Sequence, residues 1–184
     1  MKSARSHALI LLLTMLCLCL ATERALSCEA KAYFSPQQNI EQVILDNLST
    51  AKKYVHLSLY GITNKRLADR LLELHKKGVE VVLCIDKLQA KGKHDLHGYL
   101  AEGGITVIIK KTSTLEHNKF AVIDGERVLM GSWNWSTSAQ KQDNSDLLLY
   151  DCPEEVAKFE DAFQKILERD REPFDNRSTA SPLH

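Results

Sequence analysis

From Glu116 to Ser136 the chain reads E-H-N-K-F-A-V-I-D-G-E-R-V-L-M-G-S-W-N-W-S, gathering the imidazole of His117, the ammonium of Lys119, the hydroxyl of Ser132 and the carboxamide of Asn134 into one short stretch. His117 and Lys119 stand two residues apart at the entrance to a strand, so they project on the same side. Asp124-Gly125 is a strong hairpin signal, and a fold-back there brings Gly131, Ser132 and Asn134 toward His117. An imidazole that attacks or carries a proton, surrounded by a cation and neutral hydrogen-bonding groups, is suited to a phosphate. Taken singly these residues are ordinary: a strand-edge histidine is usually satisfied by its surroundings, a lone lysine is solvated, and Gly-Ser often ends a strand. The weight lies in their joint spacing.

The elements that must position this stretch alternate between strand-like and helix-like patterns, which predicts a layered α/β domain with a mixed central sheet flanked by helices. Ala30–Phe34 reads as a strand broken by Ser35-Pro36. Asn39 to Ala51 places Ile40, Val43, Ile44 and Leu48 on one helical face. Tyr54–Tyr60 alternates Val55, Leu57 and Leu59 against His56 and Ser58, the pattern of a half-exposed strand. A helix capped by Thr63 or Asn64 stops at Gly78, and Val79–Ile85 is apolar enough for a strand covered on both faces. A polar loop over Asp86–Lys93, a short helix over Asp95–Glu102 and a strand at Ile105–Ile109 follow. Phe120–Ile123 and Val128–Met130 form the hairpin around Asp124. Leu147–Tyr150 reads as the last strand, and Pro153 opens an amphipathic helix carrying Val156, Phe159, Phe163, Ile166 and Leu167.

The chain has 184 residues, enough for one compact domain. Lys2 and Arg5 precede an apolar run from Ala8 to Ala21, with Ala25 and Ser27 after it, so residues 1–27 read as a signal peptide and residues 28–170 as an exported domain, periplasmic or secreted. The competing readings are a membrane anchor, for which the run is short, and a lipid attached to Cys28. Residues 171–184 read as a polar, disordered tail. Of the 24 basic and 24 acidic residues, Lys2, Arg5 and Arg24 but only Glu23 precede Cys28, so the remainder is slightly acidic and no global field announces nucleic acid. Lys65 to Lys119 nevertheless holds 11 Lys or Arg against 7 Asp or Glu, which assigns any phosphate-binding face to the middle of the chain. Beyond the leader, Cys28, Cys84 and Cys152 form an odd set. Cys84, inside an apolar strand, reads as a buried inert thiol, while a Cys28–Cys152 bridge is possible but not deducible.

The spacing His117-x-Lys119, four residues, Asp124, six residues, Gly131-Ser132-x-Asn134 resembles the signature of the phospholipase D superfamily. The segments around Tyr54–Tyr60, Lys77–Asp86 and Asp143–Tyr150 extend the likeness, and the small secreted bacterial endonucleases of that superfamily are the nearest in appearance. The resemblance implies a phospholipase D-like fold and a phosphohistidine formed on His117, with Lys119, Asn134 and Ser132 holding the non-bridging oxygens. It also implies a homodimer with a shared active site, because one motif supplies one imidazole and the reaction needs a second as general acid. Relatives place a glutamate before the last strand to orient the nucleophile. Asp146 is the nearest match here, with Glu116 as fallback, and Asp124 falls at the hairpin turn, where it shapes the loop.

Three substrate readings follow. In the first, a non-specific nuclease acts on DNA or RNA, gripped by Lys87, Lys91, Lys93, Lys110 and Lys111, with Trp133 or Trp135 stacking on a base if either is exposed. The second is a lipid phosphodiesterase, favoured if the N-terminal segment is retained or Cys28 is acylated. The third is a non-catalytic nucleic-acid-binding dimer. No cofactor is called for. His94 and His97 lack a clean third ligand for zinc, so no metal is assigned.

Overall fold

The structure, a computed structural model, describes residues 28–170. The leader and the tail expected over residues 1–27 and 171–184 lie outside the described residues. The strands are β1 (Glu29–Ser35), β2 (Tyr54–Leu59), β3 (Glu80–Ile85), β4 (Thr106–Ile109), β5 (Lys119–Ile123), β6 (Arg127–Gly131) and β7 (Asn144–Tyr150), joined in one seven-stranded sheet of order β1-β7-β6-β5-β2-β3-β4. Only the β2–β3 and β3–β4 pairs are parallel. The helices are α1 (Ile40–Leu48), α2 (Lys65–Lys76), α3 (His97–Glu102) and α4 (Pro153–Arg169). Apolar side chains of the first three pack on one face of the sheet with Val55, Leu57 and Leu59. On the other face Val156, Phe163 and Ile166 of α4 pack with Val82, Cys84 and Val122. This is the layered α/β architecture the alternating pattern predicts.

Local sequence accounts for the boundaries. Asn39 caps α1 by accepting from the Gln42 amide, and Asn64, rather than Thr63, caps α2 by accepting from the Arg66 and Leu67 amides. Gly78 follows α2 with φ +89°, where a Cβ is disfavoured. The short helix starts at His97, later than expected, because the Asp95 carboxylate lies outside it, accepting from the Ile62 and His97 amides.

Two expectations need correction, and one left open is decided. His56 and Ser58 do not face solvent: α4 covers them, His56 stacking between Tyr54 and Phe163 and bonding Glu160 through Nδ1 at 2.8 Å, Ser58 donating to Glu116 at 2.9 Å. The last strand begins at Asn144, not Leu147, because Asn144-Ser145-Asp146 pair with Ser35, Phe34 and Tyr33 of β1. Cys28 is bonded to Cys152, the bridge that the sequence left open. A sulfur held in that disulfide carries no thioether lipid, which removes acylation of Cys28 from the possible anchors in this state. Among the described residues Cys84 is the free thiol, and burial pushes it up to about 12.

The topology brings one end of every strand into play. β1, β2, β3, β4 and β6 finish, and β5 and β7 begin, at the same end of the sheet. His117, Ser132, Asn134, Asp143, Lys87 and Lys91 all lie on connections at that end. The β5–β6 turn lies at the other end, so Asp124 is not at the site. Its carboxylate accepts from the amides of Lys52, Lys53 and Tyr54 at 2.8, 2.8 and 2.9 Å. Its role is to tie the hairpin to the start of β2.

Candidate active site

His117 is exposed on the segment entering β5, and its ring meets the edge of Tyr60 with 5.0 Å between centroids. Tyr60 stands just past β2, and its amide donates to Asn118 O at 2.9 Å, fixing the two segments side by side. Lys119 opens β5; its Nζ donates to His117 O at 2.6 Å and lies 5.5 Å from the Tyr60 ring centroid. Burial holds the Lys119 ammonium below the ordinary lysine range, with Glu116 opposing that shift.

A hollow of about 200 Å³ joins Tyr60, Gly61 and Gln89 to Asn134 and Ser136. Asn134 Oδ1 is buried there without a hydrogen-bond partner. That oxygen is left without a partner by the fold, and the Nδ2 of the same carboxamide is the donor that a phosphate oxygen would use. His117, Lys119 and Asn134 are thus brought together around Tyr60, a residue that sequence reasoning missed. Its signal was positional: an aromatic side chain at the end of the strand that pairs with the motif strand.

Ser132 is at the same end but turned to β7, where its Oγ accepts from Ser145 N at 3.0 Å. It opens onto a neighbouring shallow hollow with Phe34 and Asn144. Asp146 is buried, and its Oδ1 accepts from Trp133 N at 3.1 Å. Glu116 is turned inward as well, toward Ser58 and Asn118. Neither carboxylate pairs with the His117 ring within the chain. One residue beyond the Phe120–Met130 pair, Lys119 lies across from Gly131, which in turn pairs with Asp146. Lys119 and Asp146 therefore share a face, separated by a residue with no side chain.

Two substrate contacts expected from the sequence fall away. Lys110 is buried, its Nζ donating to Leu115 O at 2.8 Å and lying 3.7 Å from Glu116; a charge drawn inside by a carboxylate cannot also grip solvent-borne phosphate. Trp133 and Trp135 both enter the core beneath α1 and α2, leaving no indole face for a base. Lys91 and Lys93 are exposed as expected, on the connection after β3.

Asp146 carries a pH signature. Burial pushes its carboxyl up to about 7 against the model-compound 3.8, opposed by the Trp133 amide. A carboxyl raised on folding contributes stability that is complete below about 3.8 and is lost as pH rises through about 7. Asp146→Asn keeps an acceptor for Trp133 N and carries no charge. It is expected to be more stable than wild type at pH 8 by on the order of 3 kcal/mol, with the gap closing by pH 4. Denaturant melts at the two pH values measure it, and equal midpoints at pH 8 would contradict the assignment.

The family model described as "Cardiolipin synthase, PLD-like domain" matches residues 44–167, about two thirds of the chain. The chain belongs to the phospholipase D superfamily. Among curated relatives, a "Mitochondrial cardiolipin hydrolase" of Chlamydomonas reinhardtii is 35% identical over 122 residues, 66% of this chain and 55% of that one. A "Phospholipase D" of Rickettsia bellii is 26% identical over 121 residues, 66% of this chain and 60% of that one. The chain thus spans little more than half the length of the curated relatives it matches. Among solved structures, the phospholipase D family member Nuc from Salmonella typhimurium superposes with a TM-score of 0.76 at 20% identity, covering 82% of this chain and 100% of that one. NucT from Helicobacter pylori gives a TM-score of 0.70 at 23% identity, covering 78% and 98%. At such identities these two establish the superfamily fold alone.

Proposed function

We propose that this phospholipase D superfamily member is a phosphodiesterase in which His117 is the nucleophile. The observation that carries the reading is the convergence of His117 and Lys119 on the ring of Tyr60, which also lines the hollow holding Asn134 at the end of the sheet. A ring nitrogen of His117 donates its lone pair to phosphorus, the P–O bond to the leaving group breaks, and a second imidazole gives that oxygen its proton. Water then attacks phosphorus, yielding a proton to the second imidazole as the P–N bond breaks. Lys119 and Asn134 face the charge developing on the non-bridging oxygens. The steps close without a metal or cofactor.

One chain has one such histidine, so the second imidazole is assigned to another copy across a two-fold axis. Phe34 near the end of β1, and Leu88 and Leu115 on connections at the active end, are 54, 52 and 52% exposed, apolar side chains that such a partner would cover. The Cys28–Cys152 disulfide supports export into an oxidising compartment.

For the substrate we favour a polynucleotide backbone held by Lys87, Lys91 and Lys93 without sequence readout. A phospholipid is the second reading, favoured by the same exposed apolar side chains and by the names of the curated relatives. The test is to offer the protein plasmid DNA, single-stranded RNA and anionic phospholipid vesicles in chelator, beside His117→Ala. Cleavage of nucleic acid by wild type alone supports the first reading, and release of headgroup by wild type alone supports the second. Turnover that requires an added divalent metal contradicts the mechanism.

A further inference from the structure

We propose that Glu116 acts through its neighbours as the positioning residue for His117. The proposal rests on the reading of His117 as nucleophile and names what holds it. The His117 ring hangs in solvent, so its aim depends on its backbone, and that backbone is gripped on both sides. Before it, Leu115 O accepts from Lys110 Nζ at 2.8 Å and Glu116 N donates to Asp86 Oδ2 at 2.8 Å. After it, Glu116 Oε1 accepts from Asn118 Nδ2 at 2.6 Å, while Asn118 O accepts from Tyr60 N at 2.9 Å. One side chain, Glu116, meets both halves of this grip. Its Oε1 also accepts from Ser58 at 2.9 Å, and its Oε2 lies 3.7 Å from both Lys110 Nζ and Arg169 Nη2.

A residue needed only to fill this space would be apolar. Glu116 is 2% exposed, and an ionised carboxylate at such depth is costly unless it is paired and hydrogen-bonded. Here two cations and two side-chain donors satisfy it. The cluster extends to the far end of α4: Asp170, 1% exposed, accepts from Lys111 N at 2.9 Å and from Arg169 Nε at 2.9 Å. Residues 110–118 are therefore fastened near both ends to one buried group of charges.

The test compares wild type, Glu116→Gln, Glu116→Asp and His117→Ala, with turnover followed on the diester bis(para-nitrophenyl) phosphate. Gln keeps the acceptor and removes the charge that Lys110 and Arg169 surround. Its kcat is expected to fall about tenfold with KM within about twofold. Asp keeps the charge on a shorter arm that no longer reaches all of these partners, so its kcat falls as well. Wild-type kcat in both Glu116 variants overturns the positioning role, and so does a loss carried in KM alone. If Gln folds too poorly to assay, kcat and KM of the Asp variant decide. Retained turnover in His117→Ala is a different result: it refutes the nucleophile assignment, whatever the Glu116 variants show.

Discussion

Replacing His117 with alanine is expected to lower turnover by a factor of about 10⁴ or more, since removal of a nucleophile leaves only the binding and electrostatic contributions. Stability should stay within about 0.5 kcal/mol of wild type, because the side chain is exposed and makes only an edge contact with Tyr60. Wild-type protein quenched in base during turnover should carry acid-labile phosphate on His117. The variant should carry none. Mixing provides a sharper measurement. If each centre uses one His117 from each of two chains, a tenfold excess of His117→Ala protomers, equilibrated with wild type, lowers activity per wild-type chain about tenfold by mass action. Independent centres would show no change, and that outcome would remove the shared site.

The largest structural effect is expected at Gly131, the last residue of β6. A Cβ there would meet Asp146 Oδ1 and Ser145 O and would sit 2.6 Å from Asp146 Cα. Two of those atoms are backbone of the neighbouring strand, so no rotamer change relieves the clash. β7 must move away from β6 at the row that also holds Asp146. Gly131→Ala is therefore expected to destabilise by about 3 kcal/mol or more, beyond the usual range for overpacking. Because Trp133 N and Ser132 N are both bonded to β7, that separation would displace Asn134 from the hollow. The outcome is read by thermal melting and by activity at a temperature where the variant remains folded; a melting point equal to wild type would mean that the strand ends are not packed as described. The glycine of the motif is thus a packing requirement as much as a signature.

Much of this was legible in the sequence because it depends on local rules. The 3.6 and 2 periodicities placed the helices and most strands, Asn64, offered as a cap beside Thr63, and Gly78 marked the ends of α2, and Asp124-Gly125 gave the hairpin. The spacing of His117, Lys119 and Asn134 survives folding because a tight turn converts sequence distance into spatial proximity. What was not legible depends on partners far along the chain. Lys110 looks like a phosphate-gripping cation until Glu116 and Arg169 are placed around it. His56 looks exposed until α4 delivers Glu160. Trp133 and Trp135 flank a site residue, yet alternate positions both turn inward because the chain leaves the sheet after Gly131 and runs beneath the helices. Asp146 matches its expected place in the chain, but its contact is with a backbone amide.

The Cys28–Cys152 bond has a mechanical consequence. β1 pairs with β7 from Glu29 opposite Tyr150 to Ser35 opposite Asn144, and the disulfide closes the ladder at the end farther from His117. A seven-residue strand advances roughly 3.3 Å per residue, so a tether attached at Cys28 pulls on the molecule some 20 Å from where substrate arrives. Tension on that tether would otherwise peel β1 from the sheet one residue pair at a time. With the sulfurs joined, it passes instead into the first turn of α4 and the packed body behind it. The domain can hang by its N-terminal side, reactive edge outward, without its outermost strand tearing loose.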